Sequence, residues 1–135
     1  MTDFQIKVAT GFIFMISLMS SFILPGLMNL TVLPNSGISL GVGAGEFELL
    51  ILGLSMIVLA IIGRELWSVR SRLPWVFIFL IGAGAANTLE RLIFGEVRDW
   101  IPLSFILFNV ADLFIVCGLL VYLWTSVRRR KFRNI

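Results

Sequence analysis

Residues 75–94 read WVFIFLIGAGAANTLERLIF. The run is apolar from Trp75 to Ile81, small from Gly82 to Ala86, and then carries Asn87, Glu90 and Arg91 among apolar neighbours. A helix that crosses a bilayer needs about 20 mostly apolar residues. An ionisable group at bilayer depth costs about 2.5–3.5 kcal/mol by insertion scales, so such groups turn inward and mark function. Asn87, Glu90 and Arg91 stand at i, i+3 and i+4, which predicts one polar stripe on one helix face. The stripe has a structural reading, in which Arg91 pairs with Glu90 or Asp112 to pin two helices. It also has a functional one, because three acids and two asparagines beside one arginine exceed what a pin requires. The small residues at 82–86 predict close helix packing, with room for a substrate chain beside the stripe.

Three further stretches qualify as spans, at 6–28, 47–67 and 105–125, so the chain reads as an all-α membrane protein. The expected architecture is a single membrane domain over residues 1–135, a four-transmembrane-helix bundle. The composition agrees: 59% of the 135 residues are hydrophobic and 14% are charged. A soluble domain carries about 25% charged residues, and a small one buries too little surface to hide this apolar excess. Span one has a thin basic region, Lys7 balanced by Asp3, and no A-x-A site follows it, so it is expected to stay as a span rather than leave as a signal peptide.

Lys7, Arg64, Arg70, Arg72 and the five tail residues Arg128, Arg129, Arg130, Lys131 and Arg133 put nine of the eleven basic residues on one side. That side is predicted to be cytoplasmic and to hold both termini. The tail reads as a membrane-lipid anchor, not a nucleic-acid surface. Trp67, Trp75 and Trp124 are expected at the inner interface and Trp100 at the outer one. Two outer segments remain. Residues 29–46, NLTVLPNSGISLGVGAGE, have β-favouring runs at 30–33 and 38–42 broken by Pro34-Asn35 and glycines, and predict a small β-rich extracytoplasmic segment. Residues 95–104 form a short loop with Glu96, Arg98, Asp99 and Trp100.

Asn109 and Asp112 stand at i and i+3 near the outer end of span four, so two helices each present a polar stripe at one depth. Asp99 lies on the same side. The chain has no histidine and one cysteine. Ser-His and Cys-His catalysis, histidine-based metal sites and an intrachain disulfide framework are thereby excluded. Cys117 reads as an apolar filler.

These residues resemble the signal peptidase II family of bacterial inner membranes. Residues 35–41, NSGISLG, are similar to its N-x-G-x-[AS]-F segment, which marks Asn35 and Gly37. Residues 82–91, GAGAANTLER, are similar to its G-G-x-x-G-N-x-x-D-R run. Residues 97–101, VRDWI, are similar to V-x-D-[FW]-[IL]. Residues 108–112, FNVAD, match F-N-x-A-D without departure. The resemblance covers about residues 35–118. It implies an aspartic endopeptidase with Asp99 and Asp112 as the catalytic pair. Around them it implies Asn35, Gly37, Asn87, Glu90, Arg91 and Asn109. It implies no metal and no cofactor. The implied substrate is a prolipoprotein carrying diacylglycerol on its future N-terminal cysteine, cut just before that cysteine by a monomer at the extracytoplasmic side.

Two close carboxylates do not readily both ionise. One then takes a proton from attacking water while the other protonates the leaving group. Several positions depart from the family pattern. Glu90 stands where the family has aspartate, Leu40 replaces phenylalanine and Leu113 a small polar residue. The D-Q-x-[ST]-K segment of span one is absent, leaving Ser17, Ser20 and Ser21. The 99–112 interval is short and holds the apolar IPLSFIL. Two other readings stay open: an inactive homologue that binds lipidated signal helices, and a small proton-coupled transporter. Both aspartates are present, which opposes the first; the polar residues cluster at one end without an internal repeat, which opposes the second.

Overall fold

A computed structural model describes residues 1–35, 48–103 and 106–133. Four helices dominate: α1 (Asp3–Met28), α2 (Glu48–Val69), α3 (Pro74–Phe94) and α4 (Val110–Arg133). Each contains a stretch long and apolar enough to cross a membrane. Four short strands accompany them: β1 (Leu33–Asn35), β2 (Val97–Asp99), β3 (Ile101–Leu103) and β4 (Ile106–Phe108).

The helix ends follow local chemistry. Thr2 caps α1, its hydroxyl accepting from Gln5 N–H while the Gln5 side chain accepts from Thr2 N–H, a reciprocal capping box. Asn29 ends α1 in the left-handed region at φ 52°. Pro74 opens α3, where a missing N–H costs nothing, and Gly95 closes it at φ 76°. A side chain at 95 would be strained there, and the turn it makes sends the chain straight into β2.

Helix α3 is the centre of the molecule and packs against each of the other three. Buried residues make up 44% of its apolar stretch but only 6% of that of α2, so α3 is the core and α2 an outer wall. Leu49, Ile57 and Ile61 of α2 and Leu119, Leu120 and Leu123 of α4 are exposed. That apolar area is far too large for a water-facing surface and fits lipid. The packed core, Ile6, Leu66, Val76, Phe77 and Ile78, lies at the end holding the 70–73 turn. There Arg70 ties α2 to α1, donating to Asp3 Oδ1 at 2.6 Å and lying over the Trp67 ring.

At Gly82 the backbones of α1 and α3 approach so closely that an added Cβ would meet Thr10 O at 2.8 Å and Ile13 at 3.1 Å. Backbone cannot swing aside, so Gly82→Ala is expected to cost about 1–3 kcal/mol by overpacking. At Gly84 the new methyl meets only the tip of Leu59, at 3.0 Å, which can rotate away. Thermal unfolding in detergent should show a clearly lower midpoint for Gly82→Ala and a near-unchanged one for Gly84→Ala.

The structure moves three expectations. The fourth helix begins at Val110, not 105, because 106–108 pair with 101–103 as a hairpin (Ile101↔Phe108, Leu103↔Ile106). The first outer segment finds its partner in the second, which read as a loop. Its β1 pairs with β2 of the second segment (Leu33↔Asp99, Asn35↔Val97), since residues 29 and 30 are spent on the α1 cap; the 38–42 run lies outside the described residues. Trp100 is not an interfacial anchor. It is buried at the β2–β3 junction, where its backbone N–H donates to Phe108 O at 3.0 Å.

Candidate active site

The strands gather at the end of the bundle opposite the 70–73 turn, where α3 ends and α4 begins. Strand β2 carries Asp99 into the interior, and only 4% of it is exposed. Its neighbour β1 supplies Asn35, whose Nδ2 donates to Asp99 Oδ2 at 2.8 Å. The register sets Asn35 opposite Val97, so this is the diagonal same-face contact of an antiparallel pair.

Asn109 sits between β4 and α4. Its Oδ1 accepts from Asp112 N–H at 2.9 Å, and its own N–H donates to Asp112 Oδ2 at 3.2 Å. This is the capping-box geometry of a helix N-terminus. Asn109 is therefore the cap of α4 and not a residue on its face, as the i, i+3 spacing had implied. Its side-chain Nδ2 remains available and donates to Asp99 Oδ1 at 2.9 Å. From α3, Asn87 Nδ2 donates to Asp112 Oδ1 at 3.0 Å. Each of the four oxygens of the two aspartates thus receives one N–H, and Asn109 touches both carboxylates. Arg91 lies within electrostatic reach of both, Asp112 foremost.

Asp99, Asp112, Asn35, Asn87, Arg91 and Asn109 line one cavity of about 20 Å³. A void of this size accommodates about one water molecule. Val97, Leu107 and Phe108 complete its wall. Burial pushes the Asp99 carboxyl above its ordinary value, and the donors Asn35 and Asn109 and the Arg91 charge oppose that rise without cancelling it.

A second space opens beside the first. A groove of about 280 Å³ runs between α2, α3 and α4. Asn87, Arg91 and Asp112 form its polar end, and Ile51, Val58 and Leu59 line its apolar length. The small residue Gly84 gives it depth from α3.

Glu90 does not join this group. It is 1% exposed and lines neither space. Residues along a helix turn by about 100° each, so Glu90 and its neighbour Arg91 point about 100° apart. Because α3 packs against the other three helices and β2, that arc spans two interfaces. Asn87 and Arg91 face α4 and the cavity, while Glu90 faces β2, accepting from Arg98 N–H at 3.2 Å. Gly37 lies outside the described residues. The groups that sequence reasoning did not single out are Leu107 and Phe108 over the cavity and Ser55 on the groove. Ser55 carries no readable signal, because its hydroxyl is spent on Ile51 O at 2.8 Å, as in any apolar helix.

Comparison with known proteins adds the following. A family model described as Signal peptidase (SPase) II matches residues 1–128. A lipoprotein signal peptidase of Parasynechococcus marenigrum (strain WH8102) is 36% identical over 115 residues, covering 77% of this chain and 70% of its own length. That of Anaplasma phagocytophilum (strain HZ) is 33% identical over 114 residues, covering 78% and 73%. A third, from Bifidobacterium adolescentis, is 28% identical over 100 residues, and the match spans only 54% of its length. Among solved structures, a bacterial membrane enzyme studied by the in meso method superimposes with a TM-score of 0.72 over 93% of this chain and 89% of that one. At 17% identity that likeness concerns the fold.

Proposed function

The chain belongs to the signal peptidase II family, and from that premise we propose that it is an aspartic endopeptidase that removes signal peptides from diacylglyceryl-modified prolipoproteins. The observation that carries the reading is the pair Asp99 and Asp112. They come from different elements, line one water-sized cavity and share Asn109 as a common hydrogen-bond partner.

The chemistry runs as follows. The ionised aspartate takes a proton from water as its oxygen adds to the scissile carbonyl. The protonated aspartate meanwhile donates to the carbonyl oxygen. Collapse of the tetrahedral adduct breaks the C–N bond, and a proton passes to the nitrogen of the lipidated cysteine, leaving a free amine and a new carboxylate. The pair titrates as a unit, so neither aspartate has a fixed role. Asn35, Asn87 and Asn109 hold the carboxylates in register. Arg91 stabilises negative charge that develops between them. The groove between α2, α3 and α4 takes the membrane-embedded part of the substrate, with its scissile bond at the polar end.

The chain works in the bacterial cytoplasmic membrane as a monomer, with the termini inside and the dyad toward the extracytoplasmic side. This is supported by the charge distribution: Lys7, Arg64, Arg70, Arg72 and the basic tail stand at the end away from the dyad.

The test is cleavage of a purified diacylglyceryl-modified prolipoprotein by the protein in detergent or lipid. Release of the signal peptide from this substrate, and none from a precursor whose cysteine is replaced by serine, is the expected result. Binding of the lipidated precursor without release would instead indicate an inactive homologue. A pH series adds a second check. Since burial raises the Asp99 pKa, the dyad keeps its one proton to higher pH than a free aspartate, whose pKa is about 4. Cleavage is expected to fall at acid pH, where both aspartates are protonated. It should fall again as pH rises through the raised value, giving a bell in kcat whose alkaline limb lies above the ordinary aspartate range.

A further inference from the structure

Strand β2 is only three residues long, yet it holds Asp99. In an antiparallel pair, successive residues turn their N–H groups to alternate edges. Arg98 stands opposite Pro34, which has no N–H to give. The Arg98 N–H points away from β1, and on that free edge it meets Glu90 Oε2 at 3.2 Å. The Arg98 guanidinium lies over the Phe22 ring at 4.6 Å and near the Phe94 ring at 5.9 Å. The middle of β2 is therefore held on one edge by β1, on the other by a helix carboxylate, and through its side chain by aromatic rings of α1 and α3.

Glu90 is expensive to keep where it is. It is 1% exposed and, apart from the neighbouring Ser21 hydroxyl of α1, its second oxygen, Oε1, has no hydrogen-bond partner among the described residues. Burying a carboxylate with incomplete pairing costs far more than burying an apolar side chain of similar size. Packing alone would favour leucine or methionine at that position. What glutamate adds is an acceptor at the length that reaches across from α3 to the strand edge.

Resting on the reading of Asp99 as a catalytic acid, we propose that Glu90 is a positioning residue: its carboxylate stands in for a third strand, closes the outer edge of β2 and thereby fixes where Asp99 meets its partner. The side-chain length is the working feature. Aspartate at 90 would fall one methylene short of the Arg98 N–H, whereas glutamine presents the same acceptor at the same reach. Glu90 touches neither water nor substrate and takes no proton in the reaction.

The experiment uses the full chain in detergent with a diacylglyceryl-modified prolipoprotein, and compares Asp99→Asn, Glu90→Gln, Glu90→Asp and Glu90→Ala. Initial rates give kcat and KM, and thermal unfolding is recorded for each. Glu90→Gln is expected to keep most of the wild-type kcat. Glu90→Asp and Glu90→Ala are expected to lose kcat on the order of 10²-fold, the effect of misplacing a reacting group by about 1 Å, with KM unchanged because the groove is intact. The proposal is overturned if Glu90→Asp matches wild type, if Glu90→Gln loses as much as Glu90→Ala, or if the loss appears in KM. Should the shortened variants not fold, Glu90→Gln decides alone: a retained kcat supports an acceptor role and a lost one overturns it. Asp99→Asn separates the two levels. If it still cleaves, the dyad reading has failed, whatever the Glu90 variants do.

Discussion

Asparagine at either Asp99 or Asp112 should stop prolipoprotein cleavage while leaving the protein folded. The substitution is nearly isosteric, but an amide neither takes a proton from water nor gives one to a leaving amine. Loss of a general acid or base costs about 10²–10⁴-fold, and here one lost member disables both halves of the exchange, so the upper end is expected. The two variants should differ in stability. At 112 both carboxylate oxygens accept N–H groups, from Asn87 and from the Asn109 backbone. An amide there sets its NH2 against one of those donors. Asp112→Asn should therefore lose a hydrogen bond worth about 1 kcal/mol, or more where the donor stays buried. At 99 the donors are two side-chain amides: that of Asn109 is fixed by its cap, but that of Asn35 can turn its oxygen toward the new amide. Asp99→Asn should unfold close to wild type. Kinetics with the lipidated substrate and thermal unfolding of the same preparations check both statements.

The second large effect is expected at Asn109, a residue that performs two tasks with two ends of one amide. Its Oδ1 caps α4 and its Nδ2 holds Asp99. Asn109→Ala removes both. The cap is worth about 1 kcal/mol. The hydrogen bond to a buried charged group is worth about 1.5–3 kcal/mol, or roughly ten- to a hundredfold in rate where it orients the dyad. Asn109→Asp separates the tasks. Aspartate is as good a cap as asparagine, so the cap is kept, although a third buried carboxylate should itself lower the unfolding midpoint. Activity should fall at least as far as in the alanine variant, because a third carboxylate now faces Asp99 where a donor stood. An active Asn109→Asp would show that the Nδ2 contact does not matter to the chemistry.

Much of this was legible in the chain itself, and the reasons differ by feature. The four membrane helices could be read because hydropathy is a local property. The polar members of the site could be read because each is conspicuous in its segment: Asn87 and Arg91 in a span, Asp112 at the head of another. What escaped was whatever depended on pairing. Strand β1 meets β2 across more than sixty positions of chain, and neither strand is long enough to announce itself. The apolar 105–108 stretch looks like the start of a helix until its partner at 101–103 is known, and that single misreading turned Asn109 from a cap into a face residue. Glu90 lies off the cavity for a related reason. Spacing of i, i+3, i+4 defines an arc, and on a helix packed against several elements an arc belongs to more than one neighbour. Trp100, expected at the lipid boundary, is buried; composition cannot tell a belt tryptophan from a core one.

The cavity between the aspartates measures about 20 Å³. A space that holds about one molecule stores no second one. If the two aspartates cleave as proposed, water there is a reagent delivered one at a time, consumed with each bond broken and replaced before the next. Resupply from outside then becomes an obligatory step of every turnover, in series with substrate arrival and product departure. In isotopically labelled water, the oxygen entering each signal peptide's new carboxyl terminus reports the history of that single berth.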